Sequence, residues 1–498
     1  MPPDVRGKPN NTNFMKYLKQ ILLAAVAVFL ILPASAREYR VALDGVEDQP
    51  LDLTDEVVEK LAAAFARWLS GKTGKPAAAL TVSLGRDSRL SGPRLRDAVV
   101  RSLTARGVTV LDCGLASTPA MFMTTVDLGC DGAVQLTASH HPYHRNGLKF
   151  FLPSGGLEGA DITALLELAQ AEDFPPPAAG TVREIAYMTQ YAARLRRLIC
   201  EGVQAEDYNR PLAGFRIVVD AGNGAGGFYA RDVLEPLGAD ISGSQFLEPD
   251  GMFPNHIPNP ENETAMASIC QAVKASGADL GVIFDTDVDR AGAVDRNGKE
   301  INRNRLVALA SAIALEGNPG GTVVTDSITS DGLKEYIETT LGGKHHRFKR
   351  GYKNVINEAL RLNQEGVNCP LAIETSGHAA MRENHFLDDG AYLVTKILIK
   401  MASLRKEGKD LTSLLAPLRE PVEAAEVRLP ITEENFRACG EALITALEAY
   451  AQEQNWAIAP DNREGIRVSF PKGEGEGWFL LRLSVHDPIL PINLESDC

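Results

Sequence analysis

A chain of 498 residues is too long for one hydrophobic core and is expected to fold as about three or four domains. Its composition, 44% hydrophobic and 23% charged, is that of a globular protein, and a formal charge of -14 argues against a general nucleic-acid binder, which needs clustered cations. Seven cysteines (Cys113, Cys130, Cys200, Cys270, Cys369, Cys439 and Cys498) are odd in number and share no CxxC spacing, which disfavours a disulfide framework or a zinc site and suits a reducing compartment.

In chain order, the first feature is MKYLKQILLAAVAVFLILPASA, Met15 to Ala36. A basic start, an apolar run and small residues before Arg37 make a secretory signal pattern, too short for a comfortable membrane span. Fourteen residues precede it, whereas a signal normally opens a chain. Three stretches then share one layout of strand, polar or glycine-rich loop, helix, glycine and strand. They are LTVSLGRDSRLSG to VTVLDCG, RIVVDAGNGAGG to ADISGSQF, and GTVVTDSITS to HHRFKRG. Such alternation predicts sheets covered by helices, repeated as three related α/β domains. After about residue 420 the pattern becomes strand, helix, strand, strand, a smaller α+β domain. Composition places boundaries near 174–182, 300–305 and 416–425.

Within QLTASHHPYHRNGLKFF, Pro142, Asn146 and Gly147 are turn residues between two apolar strands, so Ser139 is presented on a tight connection. A zinc site on His140, His141 and His144 is disfavoured, because HHPYH lacks the glutamate of HExxH and Pro142 prevents a regular helix. GVIFDTDVDRAGAV sets Asp285, Asp287 and Asp289 at the end of an apolar strand. Three carboxylates so close repel unless a cation sits among them, and oxygen ligands suit a hard ion such as magnesium. An EF-hand fails, since its sixth position is Arg290 and its twelfth Arg296.

The run Gly222 to Gly227, GNGAGG, satisfies GxGxxG, with Glu248 near the expected acidic position. A nicotinamide-dependent, NAD(P) oxidoreductase is therefore a competing reading, beside a purely structural turn. AIETSGHAAM offers Glu374, Ser376 and His378, donors and acceptors able to hold vicinal sugar hydroxyls. GWFLLRLSVHDP sets Arg482, Ser484 and His486 beyond a strand, a candidate phosphate grip.

Together these stretches resemble the α-D-phosphohexomutase superfamily, most closely its phosphoglucomutase/phosphomannomutase branch. TASHHP is similar to its phosphoserine loop, DTDVDR to its magnesium loop, ETSGH to its sugar-recognition loop and RLSVHDP to its phosphate-binding loop; GRDSR at 85–89 adds a fifth motif. The resemblance implies a heart-shaped, four-domain fold of three related α/β domains with mixed sheets and a smaller C-terminal α+β domain. Domain I would be 1–7 and 41–190, interrupted by a segment at 8–40; domain II 191–303; domain III 304–418; domain IV 419–498. It implies a mutase interconverting hexose 1-phosphate and hexose 6-phosphate, glucose or mannose, through phosphorylated Ser139 and a 1,6-bisphosphate that also serves as activator. Mg2+ would sit on Asp285, Asp287, Asp289 and the Ser139 phosphate. Arg290, Lys149 and Arg6 would assist catalysis, with His141 or His140 supporting the loop. Glu374, Ser376 and His378 would bind the sugar, and Arg482, Ser484 and His486 the distal phosphate.

Two departures stand out. Val485, His486 and Asp487 replace the small residue, threonine and glutamate usual in the phosphate loop, which leaves a catalytically impaired sugar-phosphate-binding relative as an alternative. The family opening D-[IV]-R-G appears as Asp4, Val5, Arg6 and Gly7, but its strand resumes only at Val41. Residues 8–40 are therefore read as an interruption of gene-model origin, or as a genuine signal. The first implies a cytoplasmic or plastid-stromal enzyme of small sugar phosphates. The second implies the secretory pathway, and a membrane partner only if 17–36 is a true signal or anchor.

Overall fold

The structure, a computed structural model, describes residues 53–471, 473, 476–484 and 487–497. Arg6, the segments 8–40 and 15–36, Val485 and His486 lie outside the described residues. The chain packs as two compact units. The larger comprises the described part of Val41–Gly317 together with Pro370–Ala416, and the smaller comprises Asn318–Cys369 with the described part of Pro417–Cys498.

In the larger unit, Thr54 caps the helix Asp55–Thr73 by accepting from the Val57 amide at 3.2 Å, and the helix buries Val58, Ala62, Phe65 and Leu69. That face covers a six-stranded mixed sheet. Its order is Gly155–Gly156, Leu148–Leu152, Gly132–Leu136, Thr81–Arg86, Thr109–Leu115 and Thr181–Glu184. Thr81–Arg86 runs parallel to both Thr109–Leu115 and Gly132–Leu136, so residues 87–89 and 137–139 leave the sheet at the same end. Leu148–Leu152 returns antiparallel, Leu136 opposite Leu148, and makes 137–147 a loop between buried strands, as expected.

A second, four-stranded sheet has the order Glu300–Ile301, Ala291–Asp295, Leu280–Phe284 and Ile217–Asp220. Leu280–Phe284 and Ala291–Asp295 are antiparallel with Phe284 opposite Ala291, so the acidic run 285–290 is their hairpin connection. The expected helix and third strand of this repeat are reduced. FYARDVLEPLG forms only a six-residue π-helical segment, Tyr229–Leu234, and ADISGSQF makes two isolated bridges, Asp240 to Arg216 and Gln245 to Asp220. Gly238 and Gly243, at φ of 89° and 99°, turn the chain where a ladder would need extended backbone.

His256 locks this region. Its Nε2 lies 3.0 Å from both oxygens of Asp220 and its Nδ1 3.0 Å from the Ile257 carbonyl, so both ring nitrogens face acceptors. Burial opposes its charge, but Asp220 and the Ile257 carbonyl outweigh burial and hold the pKa above the ordinary 6.5. A pKa raised by folding contributes stability that is full below about 6.5 and is lost as pH rises through the folded value. The melting-temperature advantage of the native protein over His256→Gln is therefore expected to be largest near pH 6 and to shrink as pH rises.

Leu371–Ile373, Ala379–Met381 and Leu387–Asp388 form antiparallel pairs in the larger unit. Asp389 follows and caps the helix Gly390–Lys406 by accepting from the Tyr392 amide at 2.9 Å. Asp389 also takes the Tyr191 hydroxyl on both oxygens, at 2.8 and 2.7 Å, tying this helix to Tyr187–Val203.

In the smaller unit, Thr322–Thr325 runs parallel to Lys344–Arg347. A separate antiparallel sheet has the order Glu423–Pro430, Ile489–Ser496, Gly477–Leu481, Ile466–Phe470 and Ala457–Ile458, packed against the helix Phe436–Glu453. Two of these strands exceed the expected pattern. Ile489–Ser496 sits inside the sheet although Pro491, without an amide donor, reads as loop; its carbonyl accepts from the Arg482 amide at 3.1 Å. Among the described residues, no helix is long and apolar enough to cross a membrane.

Candidate active site

The strand Gly132–Leu136 delivers Thr137 and then Ser139, which adopts φ 50°, a left-handed conformation uncommon outside glycine. Both backbone groups of Ser139 are tied. Its amide donates to Thr137 Oγ1 at 2.9 Å, and its carbonyl accepts from Arg89 Nη2 at 2.5 Å. The hydroxyl is thereby aimed at the acidic loop, donating to Asp285 Oδ2 at 3.1 Å. The imidazole beside it is His140, with Nδ1 3.3 Å from Oγ. Burial, reinforced by Arg290 and His141, pushes His140 down to about 3, so its ring is neutral. His141, the sequence candidate, is exposed; its ring stacks on His140 at 5.1 Å and its Nδ1 lies 3.5 Å from Arg145.

Asp285, Asp287 and Asp289 are buried, and they approach so closely that one oxygen of each lies within 4.8 Å of the others. The hairpin makes this possible, because alternate residues of 285–289 turn inward and Val288 takes φ 67°. Burial and the neighbouring Asp289 push Asp285 well above the carboxylate range. Burial also acts on Asp289, but Lys149, His378 and Arg290 outweigh it and hold it low. Lys149 Nζ donates to Asp287 Oδ2 at 2.8 Å and Asp289 Oδ2 at 2.6 Å, and Thr118 also donates to Asp287. Arg290 closes the loop from the other side, with Nε 3.1 Å from Asp285 Oδ2. Asp287 Oδ1 and Asp289 Oδ1 are buried with no hydrogen-bond partner. Orphaned carboxylate oxygens in an all-oxygen set are what a hard divalent ion would satisfy, so these residues fit magnesium.

Glu374, Ser376 and His378 follow Leu371–Ile373 on a turn whose Gly377 has φ 96°. Ser376 donates to Glu374 Oε2 at 3.3 Å. A backbone bridge joins His378 to Arg290, so this loop is fixed to the acidic one. His378 Nδ1 pairs with Asp388 and lies 3.9 Å from Asp289 Oδ1. Burial works against its charge, yet Asp388 and Asp289 raise it to about 9, leaving an imidazolium at neutral pH. Arg482 and Ser484 belong to the smaller unit. Arg482 is buried, and Ser484 Oγ accepts from the Asp487 amide at 3.3 Å.

The turn Gly222 to Gly227 is closed by protein. A Cβ on Gly224 would lie 2.6 Å from the Thr286 carbonyl oxygen, and one on Gly227 would strike the Leu247 carbonyl. The Gly222, Asn223 and Ala225 amides go to Asp220, Phe246 and Thr286. Amides so engaged cannot cradle a pyrophosphate, and Glu248 instead pairs with Arg231. The dinucleotide reading is corrected accordingly: these glycines let the turn pack under the acidic loop. Gly224→Ala is expected to cost about 1–3 kcal/mol by overpacking against Thr286, read by denaturant unfolding, and to reduce activity with it. Among the described residues, the groups able to hold a metal are Asp285/Asp287/Asp289 and Asp289/His378/Asp388; His140, His141 and His144 do not form one.

Sequence reasoning gave no role to Arg89, Asp87, Thr118 or Asp388. GRDSR was noted as a motif, but the bonds of Arg89 go chiefly to carbonyls, which leave no trace in sequence.

Comparison with known proteins gives the family of the chain. Residues 43–175, 191–298 and 302–421 match domains I, II and III of phosphoglucomutase/phosphomannomutase, each an alpha/beta/alpha domain. The chain is 30% identical over 451 residues to a phosphomannomutase/phosphoglucomutase of Pseudomonas putida, covering 90% of each. It is 31% identical over 418 residues to a phosphoglucomutase of Neisseria gonorrhoeae, covering 84% of this chain and 85% of that one. A crystal structure of a phosphoglucomutase/phosphomannomutase family protein from Burkholderia thailandensis superposes with a TM-score of 0.74 at 27% identity, covering 91% and 92%. The chain belongs to the α-D-phosphohexomutase superfamily, in its phosphoglucomutase/phosphomannomutase branch. That membership supports catalysis of the phosphohexomutase type.

Proposed function

We propose that the protein interconverts the 1- and 6-phosphates of glucose, mannose or both through a phosphoserine at Ser139 and a hexose 1,6-bisphosphate, which also primes the enzyme. The observation that carries this reading is the Ser139 hydroxyl, held 3.1 Å from Asp285 at the rim of a buried carboxylate cluster with orphaned oxygens. In the first half-reaction the bond from Ser139 Oγ to phosphorus breaks as a bond from phosphorus to the free sugar hydroxyl forms, and that hydroxyl's proton leaves. In the second, the bisphosphate has turned over and its other phosphate returns to Ser139. Magnesium on Asp285, Asp287, Asp289 and a phosphoserine oxygen would neutralise charge building on the transferring group.

Lys149 is assigned the proton transfer. Its Nζ bridges Asp287 and Asp289, which places it beside the carboxylate that Ser139 faces. Arg290 stays paired with Asp285 and steadies the loop. Neutral His140 beside Ser139 supports it more directly than His141. Glu374 and Ser376 would hold sugar hydroxyls, with His378 as a cationic donor, while Arg482 and Ser484 would grip the distal phosphate. The division into four domains remains part of this reading.

The test is a coupled assay of glucose 1-phosphate and mannose 1-phosphate with a trace of glucose 1,6-bisphosphate. Conversion of at least one that stops on chelation supports the proposal. Sugar-phosphate binding without turnover would favour an impaired relative.

A further inference from the structure

Arg89 is fully buried, yet nearly everything it touches is the backbone of the serine loop. Its Nη1 donates to the carbonyls of Pro142 at 2.7 Å and Arg145 at 2.8 Å, and its Nη2 to those of Ser139 at 2.5 Å and His141 at 2.7 Å. Its Nε donates to Asp87 Oδ2 at 3.1 Å. All five N–H bonds of the guanidinium are therefore used, four of them on one loop. Asp87, also fully buried, accepts the Arg89 amide at 2.9 Å, and Thr137 Oγ1 accepts the Ser139 amide at 2.9 Å. Ser139 is thus held at both backbone groups, its carbonyl by the buried Asp87–Arg89 pair and its amide by Thr137.

The pair is itself pinned. Phe253 lies over the guanidinium at 5.2 Å, and Gly251 packs so closely that a Cβ there would stand 2.5 Å from the Ser88 carbonyl oxygen. Ser139 needs such a hold, because φ 50° is a conformation that a serine leaves unless its surroundings fix it.

We propose that Arg89, oriented by Asp87, is the positioning residue that fixes Ser139 in its left-handed conformation and so sets the direction of phosphoryl transfer. The inference rests on Ser139 carrying the phosphate. Lysine at 89 retains charge but offers three donors around one nitrogen, too few and wrongly directed for four carbonyls. A displacement near 1 Å of a reacting group costs about a hundredfold in rate.

The experiment labels Arg89→Lys and native enzyme with radioactive glucose 1,6-bisphosphate and chases with hexose monophosphate in single turnovers. Label stoichiometry counts competent molecules, and the rate constant reports how each transfers. The expected result is a rate constant lowered at least thirtyfold per labelled site, with KM for hexose 1-phosphate changed less than threefold. An unchanged rate constant per labelled site, with or without reduced stoichiometry, would overturn the inference and leave Arg89 a fold-stabilising residue. Asp87→Asn, which keeps the shape of the group that orients Arg89 but removes its charge, serves if Arg89→Lys does not fold; about a tenfold loss in the same constant is expected, and none overturns the inference. Ser139→Ala separates the two ideas: label or turnover persisting in that variant defeats the phosphoserine reading, whereas its absence beside a normal Arg89→Lys rate defeats only the role of Arg89.

Discussion

Replacement of Ser139 by alanine is expected to lower hexose phosphate interconversion by at least about a thousandfold while leaving the folded protein intact, because on the proposed reading it removes the atom that would carry the phosphoryl group. The clamp on the loop engages the Ser139 carbonyl and amide, not its side chain, so alanine inherits the same backbone. The hydroxyl's bond to Asp285 and its contact with His140 Nδ1 are lost, and alanine at φ 50° is strained little more than serine. A stability change of about 1 kcal/mol follows, since both contacts are part-exposed. Paired kcat and thermal-unfolding measurements check both halves. A large fall in melting temperature would mean that the loop is held by the side chain after all.

The second large effect is expected at Asp287. Its Oδ2 takes Lys149 and Thr118, while its Oδ1 is buried and unpartnered, so one carboxylate serves the cluster's cation balance and offers a free ligand atom. Asn keeps the shape and removes the charge. With two carboxylates left, magnesium affinity should fall at least about a hundredfold, about 3 kcal/mol of lost attraction, and kcat should fall with it because charge on the transferring group is less well balanced. Metal titration by calorimetry reads the first and magnesium-dependent kinetics the second. Unchanged affinity would place the ion elsewhere.

These two positions were legible in sequence for a simple reason. Asp285, Asp287 and Asp289 are charged, closely spaced and set at the end of an apolar strand, and Ser139 sits between turn residues flanked by strands; both signals are local. Arg89 was not legible, since four of its partners are main-chain carbonyls some fifty residues away. Asp388 was missed because it lies ten residues beyond His378, and antiparallel pairing alone brings the two together. The choice between His140 and His141 also depended on burial, which adjacent identical residues do not encode. In the fold, the repeat around Ile217–Asp220 was legible as strand and glycine turn, but its later part was not, because Gly238 and Gly243 convert an apparent strand into bends. GNGAGG shows the opposite hazard: a glycine pattern shaped by close backbone packing satisfied a nucleotide fingerprint it does not serve.

The decisive measurement follows phosphorus on Ser139 itself. Mass spectrometry of tryptic peptides from turning-over protein, with time-resolved loss of label to unlabelled hexose monophosphate, should find phosphate on Ser139 and its departure at a rate no slower than kcat. Sustained interconversion by protein whose Ser139 stays unmodified would contradict the account.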